Sequence, residues 1–175
     1  MRKLSKVAPG WWDYTTLDED ILNEAAALKP DDFKKLQRDG FKINIYDTLE
    51  SFYTAEALEY IKCWKASTSS NPVGLCGPIG PTEQLPLVAE IINDLDIDIR
   101  DGHFWGMDEW YLDGKEMPMT NPLSFAKADM DLCFNRIRKD LRMPDENIHF
   151  LSADNISEYS ESFDSIECRI MQGGQ

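Results

Sequence analysis

The chain has 175 residues, of which 42% are hydrophobic, and its 18 basic and 32 acidic side chains give a formal net charge of −14. This length fits one domain, and this hydrophobic content supplies a core, which excludes an intrinsically disordered chain. The sequence holds no long apolar run, which excludes a transmembrane helix, and its acidic balance argues against nucleic acid and anionic membranes as partners. A small anionic ligand is still compatible with this charge, because a few local donors can hold it.

The cysteines and histidines bear on metal sites and on the cellular compartment. The four cysteines are far apart and form no CxxC pair: Cys63, Cys76, Cys133 and Cys168. This spacing argues against a structural zinc site and against a secreted disulfide framework, and the two histidines leave little material for a metal site. The basic N-terminus has no apolar stretch after it, so we expect no secretory signal. We therefore predict a cytoplasmic protein with reduced thiols.

Residues 1–40 differ in pattern from the remainder, and we predict that they form a helical N-terminal extension. Apolar residues at helical spacing predict a helix over residues 17–28, and proline followed by acidic residues predicts a short helix over residues 30–36. Trp11 and Trp12 either stack on a ligand or anchor the extension. The large contact area of aromatic side chains favours the anchor.

From residue 41 onward the pattern alternates between strands and helices, and we treat residues 41–175 as one domain. Period-two alternation and short apolar runs predict strands over residues 41–46, 73–76, 103–107, 147–151 and 168–171. Apolar residues at helical spacing predict helices over residues 51–64, 82–95, 124–142 and 157–163. The alternation predicts an α/β fold, with a Rossmann-like parallel sheet and helices on both faces.

Ligands of such sheets bind outside the carboxyl ends of the strands, so the segments that follow strands are the first candidates for a site. One is the strand–helix loop at residues 77–82, which contains Gly77 and Gly80. Backbone N–H groups of such a loop can hold a phosphate, and Thr82 would add a hydroxyl donor. The alternative is an ordinary turn with Pro81 at the start of the helix, which the loop by itself favours.

A second candidate is the pair of adjacent carboxylates Asp108 and Glu109, directly after an apolar strand and between Trp105 and Trp110. Desolvation by the two indoles would raise a carboxylate pKa toward the range of a general base. A carboxylate base suits proton transfer between neighbouring carbons of an open-chain sugar. The alternative is a helix-capping aspartate beside a solvated glutamate, which is the commoner explanation for such a pair in isolation.

A third candidate is the end of the chain, where the last predicted strand leads directly into Gly173 and Gly174. No helix follows to cover this strand. The alternatives are a frayed natural C-terminus and a truncated domain. An uncovered sheet face favours truncation after about five strands, so we expect the C-terminal part of the domain to be missing.

Five segments, taken in order, resemble the glucosamine-6-phosphate deaminase/isomerase family from about residue 41 to the end of the chain. VGLCGPIGP at residues 73–81 resembles the family's first phosphate loop, and MDEW at residues 107–110 resembles its Met-Asp-Glu-Tyr motif. NPLSF at residues 121–125 resembles its His-Pro-x-Ser-Tyr helix start, and PDENI at residues 144–148 resembles its Pro-x-Glu-Asn-Ile segment. IMQGG at residues 170–174 resembles its strand ending in Met-Gly-Gly. The order and spacing of the five segments make the resemblance specific.

The resemblance implies conversion of an amino-sugar phosphate to a ketose phosphate and ammonia, without a metal or an organic cofactor. Asp108 would be the base that moves a proton between C1 and C2, and Glu109 would support it beside the substrate. The residues implied to bind the sugar phosphate or to order the neighbouring loop are Gly77, Gly80, Thr82, Ser124, Gly173 and Gly174. Positioned donors would stabilise the enediol-type transition state. The sequence leaves assembly into a homo-oligomer open.

The chain also departs from the family pattern. Pro78 has no N–H to donate to a phosphate, Trp110 stands in place of the motif's tyrosine, and Asn121 stands in place of the histidine at the helix start. The Asp-Gly-His stretch that supplies the family's ring-opening histidine has no counterpart within the 175 residues. This chain alone is therefore expected to lack the ring-opening step.

Two other functions compete with the deaminase. The first is a 6-phosphogluconolactonase-like sugar-phosphate hydrolase, but those relatives place an arginine after their paired acids, where this chain has Trp110. The second is a non-catalytic module that binds a sugar phosphate, or that binds another protein through Trp11 and Trp12.

Overall fold

The computed structural model describes residues 19–171, and the chain divides into two compact units, Met1–Asp47 and Thr48–Gln175. The described part of the first unit contains helix α1 (Glu19–Ala26) and helix α2 (Pro30–Phe33), which continues as a 3-10 turn over Lys34–Leu36. These elements confirm the predicted helices within the described residues. Trp11 and Trp12 lie outside the described residues.

The predicted strand over residues 41–46 is wrong. The segment forms no strand, and its one ladder contact is an isolated antiparallel bridge between Arg38 and Phe41. A period-two pattern becomes a strand only where a neighbouring strand supplies hydrogen-bond partners. Within the described residues no strand pairs with this segment.

The second unit is an α/β fold built on a parallel sheet. Its parallel strands are β1 (Val73–Gly77), β2 (His103–Gly106), β5 (Ile148–His149) and β6 (Glu167–Ile170), and a separate antiparallel hairpin consists of β3 (Tyr111–Leu112) and β4 (Lys115–Glu116). Its helices are α3 (Leu49–Lys65), α4 (Gln84–Asp94), α5 (Phe125–Leu132) and α6 (Tyr159–Asp164). The four parallel strands lie in the order β5-β2-β1-β6, which confirms the Rossmann-like sheet flanked by helices.

The first face of the sheet carries the main hydrophobic core. Val73 and Leu75 of β1 alternate toward this face and pack with side chains of helices α3 and α4, including Trp64 and Val88. Phe134, which follows α5, closes the same cluster. Successive strand residues point to opposite faces of a sheet, so Gly74 and Cys76 of β1 face the other side.

The second face carries a smaller cluster, formed by Cys76, Trp105 and Tyr159 and packed against Phe163. The Trp105 indole N–H donates to the Ser162 hydroxyl at 2.8 Å, and the Tyr159 hydroxyl donates to the Gly106 carbonyl at 2.8 Å. Helix α6 therefore covers this face, as expected for a sheet with helices on both sides.

The largest differences from the predicted elements are two shortened elements and one additional hairpin. Helix α5 ends at Leu132 rather than near residue 142, and the Arg136 side chain donates to the freed Asp131 carbonyl at 2.8 Å. Strand β5 is reduced to two residues. The β3–β4 hairpin was not predicted, although Asp113 and Gly114 are a typical hairpin dipeptide and both have positive φ.

The strand order determines where the carboxyl ends of the strands meet. Gly77 of β1 is in register with Gly106 of β2, so the loops after these strands leave the sheet at the same level. On the other side of β1, the Met171 N–H donates to the Cys76 carbonyl at 2.9 Å. The strand order reverses between β1 and β6, which is the position where open α/β sheets bind ligands. No helix within residues 19–171 is long and apolar enough to span a bilayer.

Candidate functional site

Asp108 and Glu109 lie at the carboxyl edge of the sheet, beside the loop that follows β1. The Met107 N–H donates to the Gly77 carbonyl at 2.9 Å, which extends the pairing of the two central strands by one residue. The chain then leaves the sheet, and the two carboxylates follow at once. The structure therefore brings the predicted carboxylate pair to the same edge as the predicted loop.

Glu109 is the better-defined carboxylate of the pair. Its Oε1 accepts hydrogen bonds from the N–H groups of Trp110 at 2.8 Å and Phe125 at 3.1 Å. Its Oε2 accepts from the Ser124 hydroxyl at 2.9 Å and from the Ala126 N–H at 3.0 Å. Both oxygens are occupied at the N-terminus of α5, where the helix dipole favours a negative charge. This geometry is that of a structural anchor rather than a proton acceptor.

Ser124 is the N-cap residue of α5. Its hydroxyl donates to Glu109 and accepts from the Lys127 N–H at 3.2 Å, and the side chain is 1% exposed. Ser124 thus connects the start of α5 to Glu109, and it is too buried to contact a ligand directly in this structure. The sequence-based alternative had an aspartate cap beside a solvated glutamate, whereas here Glu109 accepts hydrogen bonds from the Phe125 and Ala126 N–H groups at the start of α5.

Asp108 contrasts with its neighbour. Within residues 19–171 its carboxyl makes no hydrogen bond or ion pair, and the residue is exposed. Enough protein atoms nevertheless surround the carboxyl that burial raises its pKa, and the charge of Glu109 raises it further. The charge of Asp108 in turn contributes to the raised pKa of the Cys76 thiol, which burial raises to about 11. Asp108 is thus a free carboxylate at the edge of β1 and β2.

The loop between β1 and α4 differs from the predicted phosphate cradle. Gly77 is buried, and a Cβ atom there would lie 2.7 Å from the Tyr60 hydroxyl, so packing alone accounts for this glycine. A Cβ atom at Gly80 would meet nothing within 4 Å. The Thr82 N–H donates to the Glu83 carboxylate at 3.1 Å, and Pro78 has no N–H. The described loop therefore presents a carboxylate and few free donors at the position expected for a phosphate.

Gly173 and Gly174 lie outside the described residues, as does Gln172. The last described residue, Met171, continues β6 alongside β1. A cavity of about 280 Å³ adjoins Glu109 on the opposite side, toward the end of β5. Its lining includes Trp110, Tyr111 and Leu151, so it is mainly apolar.

Sequence analysis missed three buried polar side chains beneath this edge. Asp129 of α5 is 3% exposed, Gln84 of α4 is 0% exposed and Tyr60 of α3 is 1% exposed. Asp129 lies four residues after Phe125 and four residues before Cys133, so it occupies the apolar face of its helix. The buried position of Asp129 could have been predicted from the sequence, because an acidic residue stands there on a helix face that is otherwise apolar.

Within residues 19–171, no cation compensates the charge of the Asp129 carboxyl. Burial raises its pKa well above the usual range of an aspartate, and the charges of Asp108 and Glu109 raise it further. Burial raises the pKa of Tyr60, Cys133 and Tyr159, and the charge of Asp129 raises each of them further. A carboxyl in this environment holds its proton to a higher pH than a solvated one.

Replacing Asp129 by Asn should stabilise the protein at neutral pH. A raised folded-state pKa contributes stability below the unfolded value of about 3.9, and this stability is lost as pH rises through the folded-state pKa. The variant does not undergo this loss, so its advantage in the free energy of unfolding over the unsubstituted protein should grow steadily from pH 4 to pH 8. Urea unfolding across this pH range measures it.

Asp131→Asn is the matched control on the same helix. Asp131 is exposed, and its hydrogen bond from Lys127 lowers the pKa of its carboxyl. Its contribution to stability is therefore lost as pH falls, whereas that of Asp129 is lost as pH rises. A constant difference between Asp129→Asn and the unsubstituted protein from pH 4 to pH 8 would show that Asp129 ionises normally.

Within residues 19–171, no group of three or more histidine, cysteine, aspartate or glutamate side chains is arranged to hold a metal ion. No model of a known protein family matches the chain, and no curated protein matches it significantly.

Proposed function

We propose that the protein moves a proton between neighbouring carbons of an amino-sugar phosphate, and that a ketose phosphate and ammonia are the products. The observation that supports this proposal is the contrast between the two adjacent carboxylates. Asp108 is exposed, accepts no hydrogen bond within the described residues and has a raised pKa, whereas Glu109 is held by four donors. A carboxylate without hydrogen-bond partners whose pKa is raised above the ordinary aspartate value is a stronger base than a solvated aspartate, which suits general base catalysis.

In this proposal the ionised Asp108 carboxylate accepts the proton from C2 of the open-chain amino sugar and returns it to C1. The resulting ketimine reacts with water to release ammonia and leave the ketose. Glu109 is a positioning residue, because its bonds to α5 hold the loop that carries Asp108. The charge of Glu109 also keeps the pKa of Asp108 raised.

The proposed compartment is the cytoplasm. All four cysteines are free thiols in the structure, and burial raises the pKa of Cys63, Cys76 and Cys168. Thiols that hold their protons are unreactive, which is compatible with a reducing environment.

The test is release of ammonia from glucosamine 6-phosphate by the full-length protein, followed with a coupled ammonia assay. We expect saturable release together with the ketose phosphate in a one-to-one ratio. Hydrolysis of a phosphorylated sugar lactone without ammonia release would overturn the proposal in favour of a hydrolase. Saturable binding of the sugar phosphate without turnover would overturn it in favour of a binding module.

A further inference from the structure

Buried polar atoms without partners are concentrated beneath the carboxyl edge of β1 and β2. Among residues 19–171, the Tyr60 hydroxyl, both polar atoms of the Gln84 amide and Oδ1 of Asp129 are enclosed and make no hydrogen bond. Most buried polar groups of folded proteins are paired, because an unpaired one destabilises the fold. Four such atoms on three neighbouring side chains indicate a site rather than a local defect.

The three side chains come from three helices, and those of Tyr60 and Asp129 face the ends of the two central strands. The Tyr60 hydroxyl lies 2.7 Å from the position of a Cβ atom on Gly77, the last residue of β1. Asp129 Oδ2 lies 3.9 Å from the corresponding position on Gly106, the last residue of β2. Because these two glycines are in register, the side chains lie at one level of the fold.

Asp129 and Gln84 both affect the pKa of Tyr60. Burial is the main cause of the raised pKa of Tyr60, and the charge of Asp129 raises it further. The Gln84 amide lies beside the phenol and acts to lower this pKa, although the two groups make no hydrogen bond of normal geometry. The charge of Asp129 and the Gln84 amide thus both act on the Tyr60 phenol.

The charges around this cluster are negative. The charged groups that act on Asp129 are Asp108 and Glu109, and Glu56 lies one helical turn before Tyr60 with a buried, unpaired Oε2 of its own. No lysine or arginine of the described chain acts on Asp129. A buried carboxyl is stable either as the neutral acid or as a carboxylate paired with a cation.

We propose that Tyr60, Gln84 and Asp129 bind an ammonium ion, with the Asp129 carboxylate as its counter-ion. The cluster provides three oxygen acceptors, which are the phenol, the amide carbonyl and Oδ1 of the carboxylate. Three acceptors can take three of the four N–H groups of an ammonium ion. A bare alkali cation needs more oxygen ligands than the cluster provides. One carboxylate also supplies too little charge for a divalent cation.

The identification of the ion as ammonium rests on the proposed function, because ammonia would be the product released beside Asp108. The geometry of the site does not depend on that function. Potassium is close to ammonium in size and charge, so the experiment compares the two ions directly.

The experiment measures the thermal unfolding of the full-length protein in ammonium, potassium and tetramethylammonium chloride at equal ionic strength and at pH 8. At ammonium about five times its dissociation constant, we expect a rise in Tm of about 2–4 °C over tetramethylammonium, which is too large for the cluster. Equal Tm values in all three salts would overturn the site. An equal rise in potassium would overturn ammonium as its specific occupant.

Two variants test the assigned ligands. Asp129→Asn removes the counter-ion and should abolish the ammonium-dependent rise, whereas Asp131→Asn on the same helix should retain it. Tyr60→Phe removes one acceptor with little change in shape and serves if Asp129→Asn does not fold. A full ammonium response in either cluster variant would contradict the assignment.

These measurements use no sugar. A missing ammonium response with active deamination would therefore reject the site alone, and a clear ammonium response without deamination would reject the proposed function alone.

Discussion

Replacing Asp108 by Asn in the full-length protein is expected to reduce kcat for ammonia release by about 10²–10⁴-fold, which is the usual contribution of a general base. The amide has nearly the same shape as the carboxyl but cannot accept the proton from C2. Asp108 makes no hydrogen bond or ion pair within residues 19–171, so the substitution should leave the stability of the fold unchanged. Steady-state kinetics and urea unfolding of the same preparation measure both effects.

Asp154→Asn is the matched control for this variant. Asp154 is an exposed aspartate in the segment that follows β5, and its substitution should leave both kcat and stability unchanged. Activity of Asp108→Asn within a few fold of the unsubstituted protein would reject Asp108 as the base.

The pH dependence of the same reaction should identify the carboxyl that acts as base. The base is active when ionised, so kcat/KM should rise as pH passes through the raised pKa of Asp108, above the usual aspartate range. Glu109→Gln removes a charge that raises this pKa, so the rise should move to lower pH. An unchanged profile in Glu109→Gln would contradict the coupling of the two carboxyls.

Replacing Glu109 by Ala is expected to lower the free energy of unfolding by about 2–4 kcal/mol. The carboxylate accepts four hydrogen bonds, and three of their donors belong to Ser124, Phe125 and Ala126 at the start of α5. Bonds to a charged acceptor contribute about 1.5–3 kcal/mol each when donors are left unpaired, and part of this loss is recovered by water at the helix end. Denaturant unfolding followed by circular dichroism measures the change.

Glu90→Ala provides the reference for removing an acidic side chain. Glu90 is exposed on α4, and its substitution should change stability by less than about 0.5 kcal/mol. Equal stabilities of Glu109→Ala and Glu90→Ala would mean that the bonds at the start of α5 contribute nothing to the fold.

The periodicity of the sequence was sufficient to predict most strands and helices of the second unit. Buried strands such as β1 consist of continuous apolar residues, and helix α4 carries Leu85, Val88 and Ile92 on one buried face, as its spacing predicts. The same reasoning failed for residues 41–46, because alternation does not supply a neighbouring strand. It also extended α5 too far, since the Arg136 side chain that bonds to the Asp131 carbonyl is invisible to a periodicity argument.

For the candidate site too, one part follows from the local sequence and another part only from the packing. The position of Asp108 at a carboxyl end follows from the order of strands and helices, which local sequence encodes. The order of elements does not predict that Glu109 is bound while Asp108 is not, because three of the four donors to Glu109 lie 15–17 residues further along the chain. Packing of α5 against the sheet decides which carboxylate is bound.

The sequence by itself determined the α/β class, the acidic character and the position of the paired carboxylates at the carboxyl edge of the sheet, because these depend on composition and on periods of two and 3.6 residues. The tertiary structure alone decided which acidic groups are free, bound or buried. Asp129 shows the physical reason, since its raised pKa arises from burial and from charges on a segment about 20 residues earlier. The distances between Asp129 and these charges are set by packing between secondary-structure elements, which a local sequence pattern does not predict.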